Sequence, residues 1–438
     1  MTRRGVSRPD EPSIFERRES VVRSYCRRLD CILDTAEGSL VRDVTGREYL
    51  DFVAGAGALN YGHNDPDMRA ALIAHLQRGG LSHSLDMYSS AKSAFLTTFE
   101  SLVLLPRGLD HRVQFTGPTG ANAVEAALKL ARKVTGRTNV VAFTNGFHGV
   151  SLGALAVTGN RHHRGGPQNP LHGVTRMPYD GYLGDGIDTA DLLDRMLRDP
   201  SSGLDAPAAI LLEIVQGEGG LNVASSAWLR RIAELARTSG ALLVVDDVQA
   251  GCGRTGTFFS FEPFGIVPDL VVLSKSISGY GLPMALLLIR PEYDVWLPGE
   301  HNGTFRGNVH AFVTARVALE KFWSTHDLVA DVARRSQLLA RRLAEVADLV
   351  PGATVKGRGM MCGVDVGSGP RAATVIRRCF AQGLMLETAG SDDQVVKLLP
   401  PLTTPDKILH NGLDILLAVT RSVASGRESS SSSGLVTA

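Results

Sequence analysis

The middle of the chain carries a succession of short, predominantly apolar runs. They occupy residues 111–116, 139–144, 208–215, 241–246, 269–274 and 285–290. Runs of this length and character predict strands buried on both faces, and the longer stretches between them carry helical periodicity. The periodicity is clearest at Val124, Ala127, Leu128 and Ala131, with Glu125 and Lys129 spaced to pair on the outer face. Strands alternating with helices predict an α/β fold: a mostly parallel sheet covered on both sides. Residues 311–345, rich in Ala, Leu and Arg, read as a helical region joining that sheet to a smaller C-terminal α/β unit. No internal repeat is present.

Composition narrows the function classes. The 438 residues are 44% hydrophobic, enough for a large core and two domains, and 46 basic residues balance 45 acidic ones. That balance gives neither nucleic acid nor an anionic membrane a surface to bind. Cys26, Cys31, Cys252, Cys362 and Cys379 form an odd, scattered set without a CxxC pair, which favours a reducing, cytoplasmic setting. Arg3, Arg4 and Arg8 are not followed by an apolar segment, so no secretory signal is expected. No uncharged apolar run reaches the length of a membrane span. The Ser-rich end, 425–438, reads as a disordered tail.

Two of the buried runs end in complementary chemistry. The run 241–246 closes on Asp246 and Asp247, and the run 269–274 is followed by Lys275 and the Gly-rich 278–281. A carboxylate and an amine at one sheet edge are what pyridoxal 5′-phosphate requires. The amine condenses with its aldehyde, and the acid keeps its ring nitrogen protonated so that the ring withdraws electrons. In Phe115-Thr116-Gly117-Pro118-Thr119-Gly120-Ala121-Asn122, a strand end, a turn of small residues and a helix start follow one another. Free backbone amides at such a helix start suit a phosphate dianion. By itself the segment is an ordinary turn; Lys275 gives it its meaning. Phe147, in Phe147-His148-Gly149, stands where a ring could stack on the cofactor, although a core phenylalanine is the plainer reading. Val248 and Gln249 follow the paired acids, one to pack beneath a ring and the other to donate to its phenolic oxygen. Adjacent acids can also hold a metal, but no His or Cys lies at ligand spacing, so no metal is expected. Gly251-Cys252-Gly253-Arg254-Thr255-Gly256 matches the dinucleotide fingerprint in letters only, because Phe- and Pro-containing sequence follows it instead of a helix. Glu218, flanked by glycines after the run 208–215, is a candidate for the same edge.

Together, Leu243 to Gln249, Gly253-Arg254-Thr255-Gly256, Asp269-Leu270-Val271 and Ser274-Lys275 resemble the signature region of the class III pyridoxal-phosphate aminotransferases. The resemblance implies a fold-type-I transferase: a large domain over 65–318, and a small one over 319–424 joined by the N-terminal segment 1–64. It also implies a homodimer, or a dimer of dimers, with active sites at the subunit interface. Carried over by motif, Gly120 and Ala121 supply phosphate amides, Phe147 stacks, Asp246 holds the ring nitrogen, and Gln249 meets the ring oxygen. Lys275 anchors the cofactor covalently, and Thr304 reaches the phosphate of the neighbouring subunit. Phe15-Glu16-Arg17, Ala54 to His63, His83 to Met87, Glu300 to Asn308 and Val395 to Leu402 are similar to the diaminobutyrate–2-oxoglutarate aminotransferases of ectoine biosynthesis. That likeness implies transfer of the amino group of L-glutamate to the terminal carbon of L-aspartate 4-semialdehyde.

One position departs from the wider class. Many glutamate-using relatives carry an arginine where Lys397 falls, partnered by a glutamate at the Glu218 position. Lysine offers a point charge and no bidentate fork. Either Lys397 grips the substrate carboxylate more loosely, or Arg254 or Arg306 contributes. The alternatives for the whole chain are another ω-aminotransferase, of the ornithine or 4-aminobutyrate type, and further off an aminomutase or racemase.

Overall fold

A computed structural model of the chain describes residues 13–166 and 168–426. The three N-terminal arginines and the tail from residue 427 onward lie outside the described residues. Seven strands form the central sheet: β1 (Arg112–Gly117), β2 (Val140–Phe143), β3 (Val174–Met177), β4 (Ala209–Leu212), β5 (Leu242–Asp246), β6 (Leu270–Leu273) and β7 (Ala285–Ile289). Their order across the sheet is β1-β7-β6-β5-β4-β2-β3. All point the same way except β7, which is antiparallel to both β6 and β1. Every residue of β2, β4, β5, β6 and β7 is buried, as continuous apolar runs require. The expected mostly parallel α/β sheet is therefore present. The sequence reading missed β3, an edge strand whose Val-Thr-Arg-Met is half-buried and shows neither a continuous apolar run nor a clean alternation.

The helix Gly120–Thr135 follows β1. Thr119 caps it by accepting from the Asn122 amide, and Gly136 ends it in the left-handed conformation. Its buried face, from Ala123 to Ala131, packs beneath the sheet. The region read as helical comprises two helices, Val309–Phe322 and Asp327–Ala347, separated at residues 323–326. The fingerprint-like segment 251–256 forms turns, with the Cys252 amide donating to Phe258 O at 2.7 Å, and only a single 3-10 turn, Glu262–Phe264, follows in place of an α-helix.

Two smaller sheets flank the large one. In the first, Leu33–Glu37, Leu40–Asp43 and Glu48–Asp51 are joined by Leu384–Met385, which runs parallel to Glu48–Asp51. The N-terminal and C-terminal parts of the chain are thus stitched into one sheet. The second is antiparallel, in the order Thr354–Arg358, Met361–Asp365, Val395–Leu398, Glu387–Ala389. Its register sets Glu387 directly opposite Lys397. No helix among the described residues is long and apolar enough to cross a membrane.

Candidate active site

The carboxyl ends of β1, β2, β4, β5 and β6 open on one edge of the sheet, where open α/β sheets gather ligands. β5 ends on Asp246, and Lys275 lies two residues beyond β6. Phe147 follows β2, Glu213 follows β4, and Gly120 follows β1. An inner cavity of about 140 Å³ is lined by Gly120, Ala121, Phe147, His148, Glu213, Glu218, Asp246, Val248, Gln249 and Lys275, among others. A larger outer chamber of about 720 Å³ shares Phe147, Glu218 and Lys275 with it and extends past Arg28 and Glu387.

Lys275 holds a left-handed backbone, φ +52°, which a non-glycine residue adopts only when its surroundings impose it. The flanking serines do so. Ser274 Oγ donates to Met284 O at 3.0 Å, and Ser276 Oγ donates to Gly57 O at 2.8 Å while accepting from the Asn60 amide. The Lys275 amine has no hydrogen-bond partner among the described residues. Burial, only partly offset by Glu218, lowers its pKa below the ordinary lysine value. An unpaired amine in a cavity, its proton loosened by burial, is poised to act as nucleophile or base.

Asp246 Oδ2 lies 2.7 Å from His148 Nδ1, and both side chains are buried. Burial works against the imidazolium, but the Asp246 hydrogen bond and charge outweigh it and raise the His148 pKa. Asp246 Oδ1 accepts from the Val248 amide at 3.1 Å. Glu213, wholly buried beside this pair, accepts from the Phe147 amide at 2.9 Å and the Gly217 amide at 3.0 Å. One carboxyl therefore ties the loop of Phe147 to the loop of Glu218. Desolvation, opposed by His148 and reinforced by Asp246, pushes it up to about 7.

The fourth element is a shared counterion. Lys397, fully buried, donates to Glu218 Oε1 at 3.0 Å and to Gln249 Oε1 at 2.9 Å, and lies 3.0 Å from Glu387 Oε1. The Glu387 contact is an ion pair by distance, but that oxygen still lacks an aligned hydrogen-bond donor. Burial opposes the charges, but the two glutamates keep Lys397 protonated by raising its pKa, and Lys397 and Lys275 bring Glu218 down to about 2. Gln249 Nε2 donates to Ala56 O at 3.0 Å and to Glu218 Oε1 at 3.1 Å. Both of its amide hydrogens are occupied, so donation to a ligand requires releasing one of these partners.

The sequence-predicted residues Gly120, Ala121, Phe147, Glu218, Asp246, Gln249 and Lys275 line the inner cavity. Lys397 lies behind its wall, covered by Glu218 and Gln249. Thr304 is exposed and lines neither chamber. The two other cations considered for a substrate carboxylate are engaged elsewhere. Arg254 is entirely buried, donating to Asn60 Oδ1, Met360 O and Pro400 O. Arg306 pairs with Asp86 outside these chambers. Three residues were not singled out from the sequence: His148, Glu213 and Glu387. Only His148 carried a signal, its place beside Phe147.

The chemistry of this donor set fits pyridoxal phosphate. A free amine and a carboxylate backed by His148 face one cavity between Phe147 and Val248. A Cβ on Gly120 would come within 3.0 Å of Val248 Cγ2, so the helix start must stay bare. Beside it, the buried Thr116 Oγ1 lacks a partner.

Comparison with known proteins agrees. A family model for class III aminotransferases matches residues 23–419. The chain is 56% identical over 405 residues to a diaminobutyrate–2-oxoglutarate transaminase of Vibrio cholerae, covering 92% of this chain and 98% of that protein. It is 54% identical over 416 residues to a protein of the same description from Nocardia farcinica, covering 95% of each. Among solved structures it is similar to an ornithine aminotransferase of Toxoplasma gondii, described with pyridoxal phosphate partly occupying its active site. That likeness has a TM-score of 0.78 and 26% identity over 94% of each chain.

Proposed function

The chain belongs to the class III aminotransferases, and from that premise we propose that it moves the amino group of L-glutamate to the terminal carbon of L-aspartate 4-semialdehyde. The products are L-2,4-diaminobutyrate and 2-oxoglutarate. End-to-end likeness to the diaminobutyrate–2-oxoglutarate transaminases carries the substrate assignment. The meeting of Lys275, Asp246 and His148 at one strand edge supports the chemistry. When bound, pyridoxal 5′-phosphate supplies the carbonyl that takes up and hands on the amino group, and the ring that absorbs the electrons of the substrate carbon.

The chain's own residues divide the remaining work. Gly120 and Ala121 would hold the phosphate with their amides, Phe147 and Val248 would sandwich the ring, and Asp246 would keep the ring nitrogen protonated. His148 and the Val248 amide hold that carboxylate in place. Gln249 would reach the ring oxygen on letting go of Glu218 or Ala56. The Lys275 amine, lowered by burial, takes the proton from the substrate carbon and returns it. Glu218, with Lys397 behind it, sets the charge of the substrate wall. Because the amino group is kept on the holoenzyme between two half-reactions, the kinetics are ping-pong. Thr304 would serve the phosphate of a second copy, so the working unit is a homodimer, acting in the cytoplasm within an ectoine-type pathway.

The purified protein should form glutamate from L-2,4-diaminobutyrate and 2-oxoglutarate. The Lys275→Ala protein should bind the cofactor but lose turnover by several orders of magnitude. Full turnover by that variant removes Lys275 from its role, and absence of wild-type turnover removes the substrate assignment.

A further inference from the structure

The outer chamber contains a charge that the reading so far does not use. Lys397 is one ammonium between two carboxylates, Glu218 and Glu387. If both carboxylates are ionised, the trio carries one surplus negative charge. Glu387 is 4% exposed, lines the chamber that Lys275 also lines, and its Oε1 lacks an aligned donor. That oxygen shares the single Lys397 ammonium with Glu218, which leaves room at this wall for a second cationic donor.

The residue after Glu387, Thr388, anchors a group of opposite charge, Arg28. Arg28 donates to Thr388 Oγ1 and, at 2.9 Å, to Asp393 Oδ2, while Thr388 Oγ1 donates to Asp393 Oδ1 at 2.7 Å. The guanidinium is thereby fixed to the segment that presents Glu387, and it lines the same chamber. Arg28 is ion-paired to Asp393 but spends only part of its donor fork on Thr388 and Asp393, so beside Glu387 it can still complement a carbon that bears both an ammonium and a carboxylate.

We propose that Glu387 receives the α-ammonium, and Arg28 the α-carboxylate, of the amino acid whose distant amine or aldehyde reacts beside Lys275. This inference rests on the proposed function and adds to it a selection step. With its ω-amine at Lys275, diaminobutyrate turns both head charges to this wall. Glutamate, reacting through its α-amine, has only carboxylates left and gains nothing from Glu387. The wall thus separates an amino-acid amine from a plain ω-amine.

The test uses the cofactor-loaded enzyme and three amines that share the reacting end: L-2,4-diaminobutyrate, 4-aminobutyrate without the α-ammonium, and 1,3-diaminopropane without the carboxylate. The wild type should prefer diaminobutyrate over 4-aminobutyrate by about a hundredfold in kcat/KM. Glu387→Gln should cut that preference tenfold or more, through KM for diaminobutyrate, with KM for glutamate unchanged or lower. Glu387→Asp should restore part of it. Arg28→Gln should instead narrow the preference over 1,3-diaminopropane by a similar factor. If Glu387→Gln does not accumulate in soluble form, the first ratio is read in Glu387→Asp, where a threefold or greater drop is expected. A wild type that turns over diaminobutyrate but keeps its preference in the Glu387 variants overturns this inference alone. A wild type inert toward diaminobutyrate overturns it together with the proposed function.

Discussion

Replacing Lys397 by methionine keeps the length of the side chain and removes the charge that two glutamates share. The magnitude follows from Glu218, whose side chain is 29% exposed. Its carboxyl is held at about 2 rather than the ordinary 4.5, which corresponds to about 3 kcal/mol at about 1.36 kcal/mol per pKa unit. Breaking a buried ion pair from one side costs a similar about 3–5 kcal/mol. A carboxyl held down in this way contributes its stability in full above pH 4.5 and loses it as the pH falls through about 2. The wild type therefore has the whole contribution between pH 5 and 8. In Lys397→Met the two carboxyls lose the ammonium between them and keep only the more weakly coupled Lys275, their pKa values climb, and acidification relieves the repulsion. Urea unfolding of the cofactor-free protein should show a gap of about 3 kcal/mol near pH 8 that narrows toward pH 5. Adding Glu387→Gln to Lys397→Met should recover part of the loss, the sign of coupling in a double-mutant cycle. A gap of zero, or one of equal size at both pH values, refutes the reading of Lys397 as a shared counterion.

Two further expectations rest on the Asp246 side of the site. His148→Asn removes a charged hydrogen bond to a buried carboxylate, a loss of about 1–3 kcal/mol. Turnover or cofactor affinity should fall roughly ten- to a hundredfold, read as kcat and as the cofactor dissociation constant; unchanged values refute the support role. Glu213 and Asp247 are each pushed up to about 7, chiefly by burial, and the His148 pKa is raised by Asp246 against its burial. All three groups bind protons more readily in the folded chain than in the unfolded one. Stability should accordingly decline as the pH rises from about 5.5 through 7. A urea midpoint that climbs over that window contradicts this assignment.

The sheet and the catalytic edge were legible because their signals are local. Lys275, Asp246, Phe147 and Gly120 each follow a continuous apolar run within a few residues, so strand direction alone gathers them. Glu387 carries no such mark. It meets Lys397 only through the register of an antiparallel pair, across a turn whose length does not announce that register. Glu213 reads as the fraying end of a strand, and its value near neutrality comes chiefly from burial, which spacing along the chain does not report. The weighing of Lys397 against Arg254 and Arg306 turned on burial and partners, which sequence spacing does not report. The edge strand β3 was lost for a simpler reason: it shows neither a continuous apolar run nor an alternation.

Arg254 bears on how the molecule is made. Its guanidinium is buried without an acidic partner among the described residues, and burial lowers its pKa to about 10. Its acceptors come from Asn60, Met360 and Pro400. During synthesis that charge must wait, solvated, until nearly the last tenth of the polypeptide has left the ribosome. The packing around Arg254 closes late, and a chain that stops short of Pro400 leaves that guanidinium in water.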